Sequence, residues 1–140
     1  MSSSLHEECI DDFEIIRIIG RGSFGKVYKA ISKKSDRPCA IKVIDKKVIS
    51  ERGLEKRVAN EIEIHSRLRH PSVVSMKSFF EDDKCVYMIL EYCRGGTLKQ
   101  FLKKRKKLEE KQVGCMIAKV ISSPFCSGLM FHKLFRYLQG

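Results

Sequence analysis

A glycine-rich loop near the start of the chain limits the folds that this chain can adopt more than any other feature. Glycines stand at positions 20, 22 and 25, which gives the spacing G-x-G-x-x-G. The β-branched runs on either side, 13–19 and 27–31, each predict a strand. In a dinucleotide-binding fold this loop opens a helix, and a P-loop closes on Gly-Lys-Ser or Gly-Lys-Thr before a helix. Neither pattern is present, so the sequence predicts a β-hairpin with a glycine-rich tip.

The patterns that follow the hairpin predict an α+β fold. Residues 39–44 predict a third strand, and residues 73–80 and 86–90 predict a fourth and a fifth. Between the third and fourth strands, Pro71 ends a helix because proline cannot continue one. The apolar face of that helix recurs at helical spacing, at Leu54, Val58, Ile62, His65 and Leu68. A last helix is expected from about Glu109. The predicted fold is a five-stranded antiparallel sheet with one packed helix.

A lysine on the third strand and a glutamate on the helix give this fold its candidate chemistry. Glycines let backbone N–H groups approach phosphate oxygens, because no Cβ stands in the way. Lys42 supplies a positive charge for phosphates, and Glu61 can hold that lysine extended by a salt bridge. Taken singly, Lys42 is an ordinary strand lysine and Glu61 a solvated helix carboxylate. In this order after the loop they indicate a nucleotide site, in which Val27 and Ala40 are of a size that can sandwich an adenine ring.

The chain resembles the eukaryotic serine/threonine protein kinases, and among them the Sak-type (polo-like kinase 4) subfamily. The resemblance runs from about residue 11 to residue 120 and is carried by the glycine loop, by Lys42 and by four further stretches. Those stretches are Ile44-Asp45-Lys46-Lys47, the run from Arg57 to Ser72, Phe79-Phe80-Glu81-Asp82, and the run from Val86 to Glu91. The resemblance implies a kinase N-lobe with its helix C, followed by the hinge and incomplete helices of the C-lobe.

The resemblance also implies a function. The complete family enzyme transfers a phosphoryl group from ATP to serine or threonine hydroxyls of protein substrates, and this subfamily acts in centriole duplication and the cell cycle. Leu90 would be the gatekeeper, and the backbone of residues 91–93 would form the hinge that hydrogen-bonds adenine. The ATP-binding residues carried over onto this sequence are Ile19, Gly20, Gly22, Ser23, Gly25, Val27, Ala40, Lys42, Glu61, Leu90, Glu91 and Cys93.

The chemistry of phosphoryl transfer is missing from the C-terminal part of the sequence. From Lys84 to Gly140 there is neither an aspartate nor an asparagine. A protein kinase needs an aspartate as catalytic base, and an aspartate and usually an asparagine as magnesium ligands. We therefore expect no catalytic residue and no magnesium ligand in this chain, and we expect it to be inactive alone. The alternative function is a kinase-dead binding or regulatory isoform that acts through partners.

The sequence divides into a loose leader at 1–10, a partial protein kinase domain at 11–122 and an atypical tail at 123–140. Pro124 falls where the family continues its last helix, and a proline inside a helix costs about 3 kcal/mol or more. We interpret the tail as a retained intron, a frame change, an alternative exon or a natural truncated isoform. The last helix exposes apolar residues that a C-lobe would cover, so we expect self-association through it.

Charge and cysteine usage bear on partners and location. The net charge is +11, with a basic stretch from Lys99 to Lys111. We interpret that stretch as a solvated helix face and loop rather than a nucleic-acid site. The six cysteines form no C-x-x-C pair and predict reduced, mostly buried thiols. No apolar run approaches the roughly 18 residues of a membrane span. We expect a cytoplasmic protein, with centrosome association implied by the resemblance alone.

Overall fold

The computed structural model divides the chain into two compact units. The first unit contains residues 1–67 and 76–92, and the second contains residues 68–75 and 93–140. Within them, the structure describes residues 8–22, 25–71, 73–96, 100, 103–104 and 108–121. The predicted loose leader falls mostly outside these residues, and the predicted tail at 123–140 falls outside them entirely.

The first unit is built on a five-stranded antiparallel sheet, as the sequence predicted. The strands follow one another in space in the order β1-β2-β3-β5-β4. A 3-10 turn at Ile10–Asp12 precedes the sheet. The strands are β1 (Phe13–Arg21), β2 (Gly25–Ser32), β3 (Arg37–Asp45), β4 (Met76–Glu81) and β5 (Cys85–Glu91).

One face of the sheet is closed by an aromatic stack. The Phe80 ring lies between the rings of Phe13 and Tyr87, with centroid separations of 6.1 Å and 5.0 Å. Ala30, Cys39, Ile41 and Ile89 complete this buried cluster. Aromatic rings of this size bury a large apolar area, so this cluster fixes the sheet from the side away from the helices.

The opposite face of the sheet packs against two helices, α1 (Lys46–Glu51) and α2 (Glu55–Arg67). Val58 from α2 and Ile49 from α1 join a cluster of sheet residues, namely Ile44, Met76, Val86 and Met88. The α2 helix confirms the predicted helix and ends before Pro71. The sequence analysis missed α1, although Asp45 marks its start: the Asp45 carboxylate accepts a hydrogen bond from the Lys47 backbone N–H at 2.8 Å.

The start of the fourth strand differs from the prediction. The fourth strand was expected to begin at Val73, but β4 begins at Met76. The Val73 backbone N–H donates to the His70 carbonyl at 3.1 Å, in a turn that follows from the proline at 71. The Val73 side chain is buried all the same. A β-branched residue can therefore be buried in a turn, and burial alone does not make a strand.

A last helix, α3 (Glu110–Ile121), begins one residue after the predicted start. Within the apolar face that was expected to be exposed, Met116 is buried, while Ile117 and Val113 are 52% and 37% exposed. The side chains of Val120 and Ile121 lie outside the description. None of the helices in the described part of the chain is long and apolar enough to cross a membrane.

The cysteines of the described residues are free thiols, at positions 9, 39, 85, 93 and 115. The expectation that most would be buried is wrong, because among these five described cysteines Cys39 alone is buried, Cys115 is exposed and the other three are half-buried. Burial raises the pKa of the Cys39 thiol.

The turn between β4 and β5 is organised by a single carboxylate. Asp82 accepts hydrogen bonds from the backbone N–H groups of Cys85 at 2.7 Å and Lys84 at 2.8 Å, and from the Tyr87 hydroxyl at 2.8 Å. The Cys85 N–H, then the Tyr87 hydroxyl, lower the pKa of Asp82. Burial, with the Asp82 hydrogen bond second, raises the pKa of Tyr87. The carboxylate thus ties the turn to the aromatic stack.

Protonation of Asp82 should cost stability at low pH. The folded-state pKa of Asp82 lies below its unfolded value near 3.8, so its contribution is complete above that value. It is lost as the pH falls through the folded-state pKa. Urea unfolding at pH 6 and pH 3 should therefore show a smaller pH difference for Asp82→Asn than for the unchanged chain. Asp83→Asn is the control, since Asp83 accepts none of these three hydrogen bonds; an equal effect of both variants would contradict the assignment.

Candidate functional site

The glycine-rich loop joins β1 and β2 as a hairpin, as predicted. Gly20 faces Val27 in the register of the two strands, and the Gly22 backbone N–H donates to the Gly25 carbonyl at 2.8 Å. The register slips between Ile18 and Gly20, which places half-buried Ile19 at the irregularity. Ser23, another predicted site residue, lies outside the described residues.

Packing against β3 requires a glycine at position 25. It pairs with Ile44 on β3, and a Cβ added at Gly25 would overlap the Val43 carbonyl oxygen. The same Cβ would lie 3.1 Å from the Val43 carbonyl carbon. A Cβ at Gly22, by contrast, would meet its nearest atom at 3.7 Å, an ordinary contact. The hairpin can therefore lie close against β3 only because Gly25 has no side chain.

Lys42 and Glu61 form the predicted ion pair. The Lys42 Nζ lies 2.5 Å from the Glu61 Oε1, and the two side chains are only 18% and 9% exposed. Lys42 comes from β3 and Glu61 from α2, which packs on the sheet through Val58 and Ile62. The pair therefore joins the helix to the sheet, and it presents a cation that is largely shielded from water.

The apolar residues predicted to hold a base lie on the same sheet face as Lys42. Partners in an antiparallel register share a face, and alternate residues along a strand return to it. Lys42 pairs with Val27 on β2 and with Met88 on β5. One step along the sheet, Ala40 pairs with Leu90. Ala40 is buried, and Leu90 packs against the cluster that contains Met88.

Glu91 and Cys93, the two residues predicted for the hinge, lie in different units. Glu91 is the last residue of β5 and pairs with Cys39, so the alternation of the strand turns it away from the Leu90 face. Cys93 belongs to the second unit, where its carbonyl accepts a hydrogen bond from the Gly96 N–H at 3.4 Å. The first unit thus gathers Val27, Ala40, Lys42, Glu61 and Leu90 on one face, next to the glycine hairpin.

The sequence analysis missed one contact at the edge of this site. The Lys29 Nζ lies 5.2 Å from the centroid of the Tyr92 ring. A signal was available, since Lys29 stands two residues after Val27 on β2, and Tyr92 two residues after Leu90. Alternation along β2 therefore places Lys29 on the sheet face that carries Lys42, the site face, and Tyr92 follows directly after the last residue of β5. Register across three strands is needed to see that they meet.

The donor set suits an anion rather than a metal ion. Backbone N–H groups of a glycine-rich loop and a shielded ammonium both favour phosphate oxygens. Glu61, the carboxylate at the site, is engaged by Lys42. Among the described residues, no three His, Cys, Asp or Glu side chains come together in a group that could hold a metal ion. Magnesium therefore does not fit the residues described.

Comparison with known proteins agrees with this geometry. The family model for the protein kinase domain matches residues 13–124. Over 97 residues the chain is 46% identical to serine/threonine-protein kinase PLK4 of Xenopus tropicalis, covering 69% of this chain and 10% of that protein. The corresponding protein of Danio rerio is 44% identical over 106 residues, covering 76% and 11%. That of Drosophila virilis is 41% identical over 116 residues, covering 81% and 15%. The matched region thus spans 10–15% of the length of these relatives.

Adding a methyl group at Gly25 should disrupt the hairpin. Gly25→Ala forces β2 away from the Val43 backbone, and overpacking of this kind costs about 1–3 kcal/mol. Gly22→Ala is the matched control, because its Cβ meets only ordinary contacts; it should change the free energy of unfolding by less than about 1 kcal/mol. Urea unfolding followed by circular dichroism measures both. Equal destabilisation by the two variants would show that Gly25 has no special packing role.

Removing one partner of the Lys42–Glu61 pair should destabilise the first unit. Lys42→Met or Glu61→Gln leaves a shielded charge or donor uncompensated, at a cost of about 1–3 kcal/mol. The double variant Lys42→Met/Glu61→Leu should lose less than the sum of the two single losses.

The exposed pair on the same helix provides the control for this cycle. Arg67 and Glu63 are 3.2 Å apart, but their side chains are 79% and 60% exposed. Glu63→Gln should therefore cost at most about 0.5 kcal/mol. If the losses at Glu61 and Glu63 were the same, or if the double variant at 42 and 61 were fully additive, the pair would not join helix to sheet as described.

Proposed function

The chain belongs to the protein kinase family, and we propose that its first unit is the ATP-binding part of a serine/threonine protein kinase. The observation that carries this proposal is the ion pair between Lys42 and Glu61, on the face shared by Val27 and next to the glycine hairpin. The relatives named above are serine/threonine kinases, which supports the same class for the protein to which this chain corresponds.

The phosphates of ATP are bound by the hairpin and by Lys42. Glycines 20, 22 and 25 leave the backbone open, so that N–H groups of the loop can donate to phosphate oxygens. Lys42 neutralises charge on the α- and β-phosphates. Glu61 keeps Lys42 extended, because an ammonium held at 2.5 Å by a carboxylate on α2 is not free to fold back along β3. Ser23 stays a predicted ATP-binding residue, from the resemblance to the kinase family.

The adenine ring is held by apolar contacts and by the chain segment that follows β5. Val27 and Ala40 lie on the site face and cover one side of the ring, with Ile19 at the start of the loop. Leu90 acts as the gatekeeper, since it follows Met88 on the same face of β5. The backbone of Glu91, at the end of β5, hydrogen-bonds the edge of the ring, and the part of Cys93 stays a prediction from the resemblance.

Phosphoryl transfer to protein serine or threonine belongs to the complete enzyme, with magnesium held by ligands beyond those described. The 140 residues contain no aspartate or asparagine after Asp83, so the catalytic base and the metal ligands of the family have no counterpart there. This absence favours a second function for the chain by itself, as a nucleotide-binding or regulatory module without transfer activity. Centrosome association and self-association through α3 stay predictions.

Nucleotide binding tests the proposal directly. Millimolar ATP should raise the melting temperature of the purified chain, because a ligand that binds only the folded state stabilises it by mass action. Lys42→Met should abolish this rise, whereas Lys77→Met, the same change at an exposed lysine of β4, should preserve it. A rise that survives Lys42→Met would contradict the proposed site.

Transfer activity separates the two functions in the same preparation. With magnesium and labelled ATP, the pure chain should phosphorylate neither itself nor casein. Phosphate incorporation that disappears in Lys42→Met would mean that the 140 residues catalyse the reaction without the family's aspartates, and the second function would then be wrong.

A further inference from the structure

The contact between Lys29 and Tyr92 involves neither the phosphate-binding residues nor the apolar residues assigned to adenine. The Lys29 Nζ lies 5.2 Å from the centre of the Tyr92 ring, within the roughly 6 Å at which a cation is attracted to an aromatic face. Both side chains are half-buried, so water screens the contact less than it would on an open surface. The pair joins β2 to the residue directly after β5.

The register of the sheet puts this contact in the row next to the Lys42 row. Lys29 pairs with Ala40, and Ala40 pairs with Leu90, so the three residues cross the sheet on the site face. The neighbouring row contains Val27, Lys42 and Met88. Successive side chains on one face of a strand are about 6.6 Å apart. Lys29 on β2 and Lys42 on β3 therefore lie in adjacent rows, one such step apart along the strands. Ala40 carries only a methyl group between Lys29 and Leu90.

Lys29 is not placed to stabilise the hairpin. Its partner on β1 is Arg17, and like charges directly opposite each other on paired strands are destabilising. An acidic residue at either position would form a favourable cross-strand pair. The favourable contact of the Lys29 ammonium is instead with the Tyr92 ring.

Tyr92 is the first residue after the strand pairing of β5 ends. The last residue of β5 that pairs with β3 is Glu91, opposite Cys39. Tyr92 is the last residue of the first unit, and Cys93 already belongs to the second. The ring contact with Lys29 therefore anchors the backbone to the sheet immediately after the ladder of hydrogen bonds ends.

We propose that Lys29 is a positioning residue for the adenine of ATP. Through the Tyr92 ring it fixes the backbone of residues 91–93, the segment assigned to the edge of the base. This inference rests on the proposed function, since it presupposes that a nucleotide binds on this face. Lys29 itself touches no phosphate in this scheme, and its effect is confined to the base.

The first test needs no nucleotide. Lys29→Met keeps the aliphatic chain but removes the charge, and Tyr92→Leu removes the ring. Each should raise amide hydrogen exchange at residues 91–93 by about two- to fivefold, the range expected from loss of one cation–π contact. Lys29→Arg and Tyr92→Phe keep the contact and should keep the protection. Lys26→Met, at an exposed lysine of the same strand, is the control and should leave residues 91–93 unchanged.

The second test separates base from phosphate. Adenosine, ATP and inorganic tripolyphosphate are titrated into the isotope-labelled chain, and dissociation constants are taken from amide chemical shifts. Lys29→Met should raise the dissociation constants of adenosine and ATP by about two- to fivefold and leave that of tripolyphosphate unchanged. Lys42→Met should instead raise the dissociation constants of ATP and tripolyphosphate and leave that of adenosine unchanged. The double variant at 29 and 92 should bind adenosine no more weakly than the weaker single variant.

The outcomes distinguish the positioning role of Lys29 from the proposed ATP-binding function on which it rests. If the unchanged chain binds neither ATP nor adenosine, the proposed function is wrong and the positioning role falls with it. If ATP binds but Lys29→Met leaves exchange at 91–93 unchanged, or weakens tripolyphosphate as much as adenosine, the positioning role alone is overturned. Exchange and adenosine affinity that change together, with rescue by Lys29→Arg, support it.

Discussion

The ion pair between Lys42 and Glu61 is the interaction on which the rest of the site depends. It joins β3, the middle strand of the sheet, to α2, the second helix after that strand, and both side chains are largely shielded from water. Shielding a charge is expensive unless a partner compensates it, so each of the two side chains needs the other in place. The packing of Val58 against the sheet brings the helix close enough for the pair to form.

The two faces of the sheet carry different sets of residues. The aromatic stack of Phe13, Phe80 and Tyr87 closes one face, and Asp82 locks the turn beside it. The other face carries Lys42 and the small apolar residues around it. Because side chains alternate along a strand, a slip of one residue would move Lys42 into the aromatic core. Gly25 disfavours such a slip, because β2 approaches the Val43 backbone so closely that only a glycine fits at this position of the register.

Local patterns were enough to predict most of this arrangement. The hairpin, the order of the first three strands, α2 and the partnership of Lys42 with Glu61 all follow from spacing and from the resemblance to the kinase family. The sequence did not distinguish Val73 in a turn from Val73 in a strand, because both environments bury a β-branched side chain. It also missed the contact of Lys29 with Tyr92, since that contact depends on the register of three strands. Gly25 was predicted to lie in the loop, whereas it is the first residue of β2, and its packing role depends on the approach of the Val43 backbone.

The central claim is that the hairpin, Lys42 and the end of β5 act together as one nucleotide site. A titration of the isotope-labelled chain with ATP, followed through backbone amide shifts, tests it most directly. The account predicts that amides of Gly20, Gly22, Gly25, Lys42 and Glu91 shift together, with one common dissociation constant. Shifts confined to the basic stretch from Lys99 to Lys111, with the hairpin unchanged, would instead mean that ATP is bound only as a polyanion and that the site does not exist.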